Sequence, residues 1–124
     1  MNSQPPPRLQ SVNPILTVQN LSAALDYYQS VLSLQVAWTW GDPPTLASVC
    51  RDDVELNLAS SRTDTFGPSR HYIQLRGVDA YYAKIIAAGG QVTIPLADRN
   101  YGMRDFRLID RDGNELSFGE PITS

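Results

Sequence analysis

The chain has 124 residues, within the roughly 100 to 200 of a single domain, and 42% hydrophobic against 19% charged residues exclude disorder over most of its length. Ten basic residues against 13 acidic ones leave a net charge of −3, which argues against a nucleic-acid binder that works by neutralising phosphates. A lone Cys50 excludes an intramolecular disulfide and any multi-cysteine metal site, and with no apolar run near the roughly 18 residues of a membrane span and no signal-peptide pattern, a cytoplasmic location is expected.

Residues 1–12 carry Pro5, Pro6 and Pro7 in a row, which favours an extended arm over packed structure. From 13 to 19, Ile15, Thr17 and Gln19 alternate with Pro14, Leu16 and Val18, the period of a half-buried strand. Asn20 then suits a helix N-cap, and Leu21, Leu25, Tyr28 and Leu32 make one apolar helical stripe. Strand-like runs follow at 34–40, 46–51 and 54–59, broken by Gly41-Asp42-Pro43-Pro44 and Asp52-Asp53. A polar loop over 60–69, with Phe66 in it, precedes a restart. The second half reads as a strand at 70–76, a helix from Val78 capped by Gly89-Gly90, and runs near 91–96, 103–109 and 115–120.

The second half therefore repeats the first in order, and in residues as well. A shift of 57 places the stripe of the first helix on Val78, Tyr82, Ile85 and Gly89. A shift of 60 places Arg51-Asp52-Asp53-Val54-Glu55-Leu56 on Arg111-Asp112-Gly113-Asn114-Glu115-Leu116, with four of six residues identical. Two copies of one module explain both shifts.

Three stretches are distinctive: Pro14-Ile15-Leu16-Thr17-Val18 through Tyr27-Tyr28 and Val31-Leu32; Gly77-Val78-Asp79-Ala80 through Ala88-Gly89-Gly90; and Tyr101-Gly102-Met103-Arg104-Asp105-Phe106 followed by Asp110-Arg111-Asp112-Gly113-Asn114. Together they make the chain resemble the glyoxalase, bleomycin-resistance and extradiol-dioxygenase superfamily, the vicinal oxygen chelate fold. The resemblance implies an α+β fold of two βαβββ modules in tandem, each curling a mixed sheet around a concave cleft. Residues 13–124 would form one such domain, with module one at 13–59, a linker at 60–69 and module two at 70–120, after a flexible Pro-rich arm at 1–12. By strand parity Leu16, Val18, Ile73, Leu75, Leu116 and Phe118 should pack under the helices. Thr17, Glu55, Asn57, Arg70, Tyr72, Gln74, Glu115 and Ser117 should face the other way, as a solvated pocket or as an ordinary wet sheet face.

Enzymes of this superfamily hold a divalent ion with His and Glu on the first and last strands of each module. The matching positions here are Asn13, Asn57, Arg70 and Ser117, none of them an imidazole or a carboxylate, so no metal or other cofactor is expected. His71 is one step out of register and should face the helices. Glu55 and Glu115 share the concave parity as a possible carboxylate pair or as solvated charges. Cys50 has no histidine beside it in pattern, and no nucleophile elbow or phosphate-binding glycine motif occurs, so no catalytic residues stand out.

A metal-free chain with these motifs resembles the bleomycin-resistance branch, whose members form dimers and trap a drug between protomers. The resemblance therefore implies a metal-independent binding protein, sequestering an aromatic or natural-product ligand at a homodimer interface and conferring antibiotic resistance. The alternatives are a divergent metal-dependent lyase or dioxygenase and an interaction module with a vestigial cleft. Candidate aromatic contacts are Trp38, Trp40, Tyr72 and Tyr101; the face that Trp38 and Trp40 occupy is open. Glu55, Asn57, Met103 and Ser117 complete the polar and soft lining. Nine of the ten basic residues are arginine, planar forks suited to bidentate contacts. Arg70 and Arg104 suit an anion while Glu55, Glu115 and Asp105 suit a cation, and Arg104 could equally pair with Asp105, so the sign of the ligand's charge is open.

Overall fold

The computed structural model describes residues 6–60 and 68–122; Phe66 and residues 1–5 lie outside the described residues. The expected order is found twice. Module one contains β1 (Ile15–Thr17), α1 (Leu21–Ser30), β2 (Gln35–Gly41), β3 (Pro44–Arg51) and β4 (Val54–Ala59). Module two repeats it as β5 (Arg70–Gln74), α2 (Val78–Ala87), β6 (Gln91–Asp98), β7 (Met103–Ile109) and β8 (Glu115–Pro121). The two sheets have the same topology, β1-β4-β3-β2 and β5-β8-β7-β6, with one parallel pair at the edge and two antiparallel pairs. The fold is α+β in two tandem modules. Strand β6 runs on through Pro95, where a proline is tolerated because β6 is an edge strand with a register irregularity at that point.

Each helix starts by a different device. Asn20 accepts the N–H of Ala23 at 2.9 Å with extended backbone, the expected cap of α1. Gly77 offers α2 no side chain, and Glu120 from β8 accepts the N–H of Val78 at 2.7 Å in its place. At the other end of α2, Gly89 adopts φ +86° and Gly90 donates to the Ile85 carbonyl at 2.8 Å, closing the helix as the glycine pair implied. The helical stripes then bury themselves: Leu21, Tyr28 and Leu32 from the first helix region and Val78 and Ile85 from the second sit in one core with Leu16, Leu58, Phe106, Leu116 and Phe118.

The modules are joined through side chains. Asp110 Oδ2 accepts the Tyr28 hydroxyl at 2.7 Å and Asn114 Nδ2 at 3.0 Å, while Asp110 Oδ1 accepts the N–H groups of Asp112 and Asn114. Asn114 Nδ2 also donates to the Thr17 carbonyl, and Asp112 accepts the Gln19 N–H. The Asp-x-Asp-Gly-Asn turn thus ties the end of β7 to β1 and α1. The pseudo-equivalent junction is open instead: Asp52, Asp53 and Val54 face Leu75, Arg76 and Gly77 across a groove of about 600 Å³. Val54 stands where the other copy has Asn114 and has no polar group with which to close it. No described helix is long and apolar enough to cross a membrane.

Candidate functional site

Strand register assigns every side chain to a face. In module one, Ile15, Asn57, Ser48 and Trp38 form one cross-strand row and Thr17, Ala59, Leu46 and Trp40 the next, on the side away from α1. Leu16, Leu58, Ala47 and Val49 occupy the alternate rows and are fully buried under the helix side. Strict alternation would give Val36 and Trp38 the same face. A bulge at Ala37 breaks it: Val36 pairs with Val49 on the helix side, while Trp38 pairs with Ser48 on the open side. The indoles of Trp38 and Trp40 are consequently 41% and 68% exposed. Module two carries the same irregularity at Thr93, which leaves Val92 opposite Leu108 and turns Ile94 out to stand opposite Arg107.

The open face of module two forms a cavity of about 620 Å³. Its floor is the row Tyr72, Ser117, Arg107 and Ile94. On one side the Asp105 carboxylate, nearly buried, accepts the Tyr101 hydroxyl at 2.6 Å and the Tyr72 hydroxyl at 2.9 Å on Oδ2, and Arg99 Nε at 2.9 Å on Oδ1. Burial pushes this carboxyl's pKa up, and the bonds from Tyr101, Arg99 and Tyr72 outweigh it, leaving the group below the usual carboxylate range. Burial and the same carboxylate raise the Tyr72 hydroxyl above its ordinary range, so it stays a donor at neutral pH. Gly119 makes this meeting possible, because a Cβ there would run into the Tyr72 hydroxyl and lie 2.7 Å from Asp105 Cβ. On the other side Arg70 Nε pairs with Glu115 at 2.7 Å, and Arg107 reaches Glu115 at 3.9 Å and Ser117 Oγ at 3.4 Å.

Two βαβββ copies with this shared topology are matched, over residues 8–118, by the family model described as Glyoxalase/Bleomycin resistance protein/Dioxygenase superfamily. The chain belongs to that superfamily. Among solved structures similar to it, TioX from Micromonospora sp. ML1 superposes with a TM-score of 0.79 at 15% identity, over 90% of this chain and 100% of that one. The bleomycin-binding protein from Streptomyces verticillus, solved with copper(II)-bleomycin, gives 0.70 at 22% identity over 90% and 95%. The lactoylglutathione lyase from Agrobacterium tumefaciens gives 0.74 at 20% identity over 94% and 96%. At these identities the likeness is one of fold. No curated protein matches the chain by sequence.

The superfamily's metal positions do not fit a cation in this member. Arg70 brings a permanent positive charge that is already paired with Glu115, and Asn13, Asn57 and Ser117 supply only neutral groups. Among the described residues no three of His, Cys, Asp and Glu gather where they could hold an ion. His71 pairs in register with Leu116, away from the open face, and its Nε2 lies 2.9 Å from Ser69 Oγ. Burial lowers its pKa, so the ring is neutral at pH 7. Glu55 and Glu115 belong to different sheets and each has its own partner, Ser48 Oγ at 2.5 Å for Glu55 and the two arginines for Glu115. Cys50 stands opposite Gln35 and Glu55, with no imidazole in its cross-strand row.

The register places Trp38, Trp40, Glu55 and Asn57 on the open face of module one, and Arg70, Tyr72, Met103 and Ser117 on that of module two, with Tyr101 at its rim. Arg104 is a correction. It sits one residue from Asp105 and therefore points to the opposite face, where it pairs with Asp79 of α2 at 2.8 Å and Asp98 at 3.1 Å. The partner of Asp105 is Arg99, not Arg104. Arg99, Arg107 and Ile94 belong to the cavity and were not among the expected residues. Parity along β7 carries the signal for Arg107, since Asp105 and Arg107 alternate with Phe106 and Leu108; nothing local marks Arg99, whose role depends on the turn from 99 to 102.

Proposed function

We propose that the protein binds a small molecule with a planar aromatic portion, without a metal ion, and sequesters it rather than transforming it. The observation that carries this reading is the placement of the exposed aromatics. Trp38, Trp40, Tyr72 and Tyr101 are between 41% and 68% exposed and all stand on or at the rim of the open sheet faces, where planar rings gain stacking contacts. The carboxylate between two of them, Asp105, is already paired on both oxygens, which suits holding a ligand better than proton transfer. A second copy of the chain completes the cleft in this reading, since each sheet leaves one face uncovered and exposed large apolar side chains there favour burial. In the cell such sequestration would act as resistance to a natural product.

The test is tryptophan emission of the metal-stripped protein titrated with planar natural products, bleomycin among them, with sedimentation run in parallel. Saturable quenching that is lost in Trp38→Ala and Trp40→Ala, together with a dimer, is the expected result. A strict monomer with no response to any aromatic compound sinks the reading. Stoichiometric Ni, Zn, Fe or Mn in the purified protein would instead point to the lyase or dioxygenase alternative.

A further inference from the structure

Resting on the binding role proposed above, we infer that the cavity of module two takes a planar aromatic carboxylate, anchored through Arg107. Arg107 is at the centre of the open face, flanked by Ile94 and Ser117, with its side chain 30% exposed. Its contacts are long, 3.4 Å to a neutral hydroxyl and 3.9 Å to a carboxylate. The chain's other interior and rim arginines are better served. Arg99 makes bonds of 2.5, 2.9 and 3.1 Å, Arg104 of 2.8 and 3.1 Å, and Arg70 an ion pair of 2.7 Å. A guanidinium stays charged and offers five N–H donors; among the described residues, the Nη2 group of Arg107 has no acceptor. A partly desolvated cation with free donors in a fork favours an oxyanion, above all a carboxylate held by two parallel bonds.

The charge in the cavity points the same way. Three guanidiniums, from Arg70, Arg99 and Arg107, face two carboxylates, from Asp105 and Glu115. The carboxylates are not free to receive a cationic ligand: both oxygens of Asp105 are occupied, and Glu115 is held by Arg70. The aromatic half of the ligand meets fixed walls. The Tyr72 and Tyr101 hydroxyls are both tied to Asp105, which holds the rings still before anything binds and lowers the ordering entropy on association. Tyr72 lies on β5 and Arg107 on β7, two strand spacings or about 10 Å apart, which matches a bicyclic ring bearing a carboxylate.

The experiment is calorimetric titration of the full chain at pH 7 with three probes of one ring system: 2-naphthoate, 2-naphthalenemethanol and 2-naphthylmethylammonium. The wild type should bind the carboxylate most tightly. Arg107→Gln should weaken the carboxylate more than tenfold and leave the alcohol unchanged, and Arg107→Lys, which keeps the charge without the fork, should fall between. Circular dichroism confirms folding, and Arg107→Lys keeps the test decisive if Arg107→Gln does not fold. An ammonium probe that binds as well as the carboxylate, or a carboxylate affinity indifferent to both variants, overturns the anion assignment while leaving an aromatic pocket. Failure of all three probes removes that pocket as well, and with it the proposed role of this face.

Discussion

Asp105 shows how one side chain can shape a cavity without reacting in it. Its oxygens fix two tyrosine rings and one guanidinium from two segments, β5 and the turn at 99–102. The folded-state pKa lies below the unfolded value of about 3.9. The stabilisation is therefore complete above that value and disappears as the pH falls through the folded one. Urea unfolding at pH 7 should find Tyr72→Phe/Tyr101→Phe less stable than wild type, and the gap should narrow near pH 3. A gap that widens in acid would contradict this account of the cluster. Arg107, two residues further along the same face, differs in having donors to spare, and that contrast is what separates a structural charge from a binding one.

At the level of the element, the bulges in β2 and β6 decide what each open face displays. An extra residue at Ala37 bends the edge strand and reverses the parity, so Val36 packs against the core and the two indoles turn outward. Deleting Ala37 removes only the extra residue, leaving Val36 opposite Val49 and Trp38 opposite Ser48. The variant should fold with the emission of exposed indole unchanged. Deleting Thr39 in its place moves Trp40 off the open face to the position opposite Ala47, away from Leu46, and should change the emission and lower the melting temperature. Equal effects of the two deletions would show that the bulge is not at Ala37. The same kind of irregularity recurs at Thr93, where it turns Ile94 outward as the one in β2 turns Trp38.

For the whole molecule, the decisive joint is the buried Asp110–Asn114 turn. Tyr28, Thr17 and Gln19 from one module all bond to it. Replacing Asp110 by Ala leaves the Tyr28 hydroxyl and two backbone N–H groups without acceptors, which costs about 3 kcal/mol. For a chain of this size that lowers the melting temperature by about 10 °C. Scanning calorimetry checks it, and a loss below about 1 kcal/mol would show that the turn does not hold the modules together. The other junction, open between Val54 and Leu75, has no such network to lose.

Much of this was legible in the residues. Alternation and helical spacing, repeated at shifts of 57 and 60, define both modules, since periods of two and 3.6 are local consequences of backbone geometry. Parity placed Glu55, Asn57, Arg70, Tyr72 and Ser117 on the open faces because their strands are regular. Where the strand is irregular, parity is not local: the faces of Trp38 and Trp40 depend on a single extra residue whose position only the pairing with β3 reveals. The same holds for charge partners. Sequence proximity suggested Arg104 for Asp105, whereas adjacent residues on a strand point apart, and the true partner, Arg99, arrives by way of a turn. The chain by itself determined the duplicated fold; only the folded neighbours decided which aromatic and which arginine face the cavity.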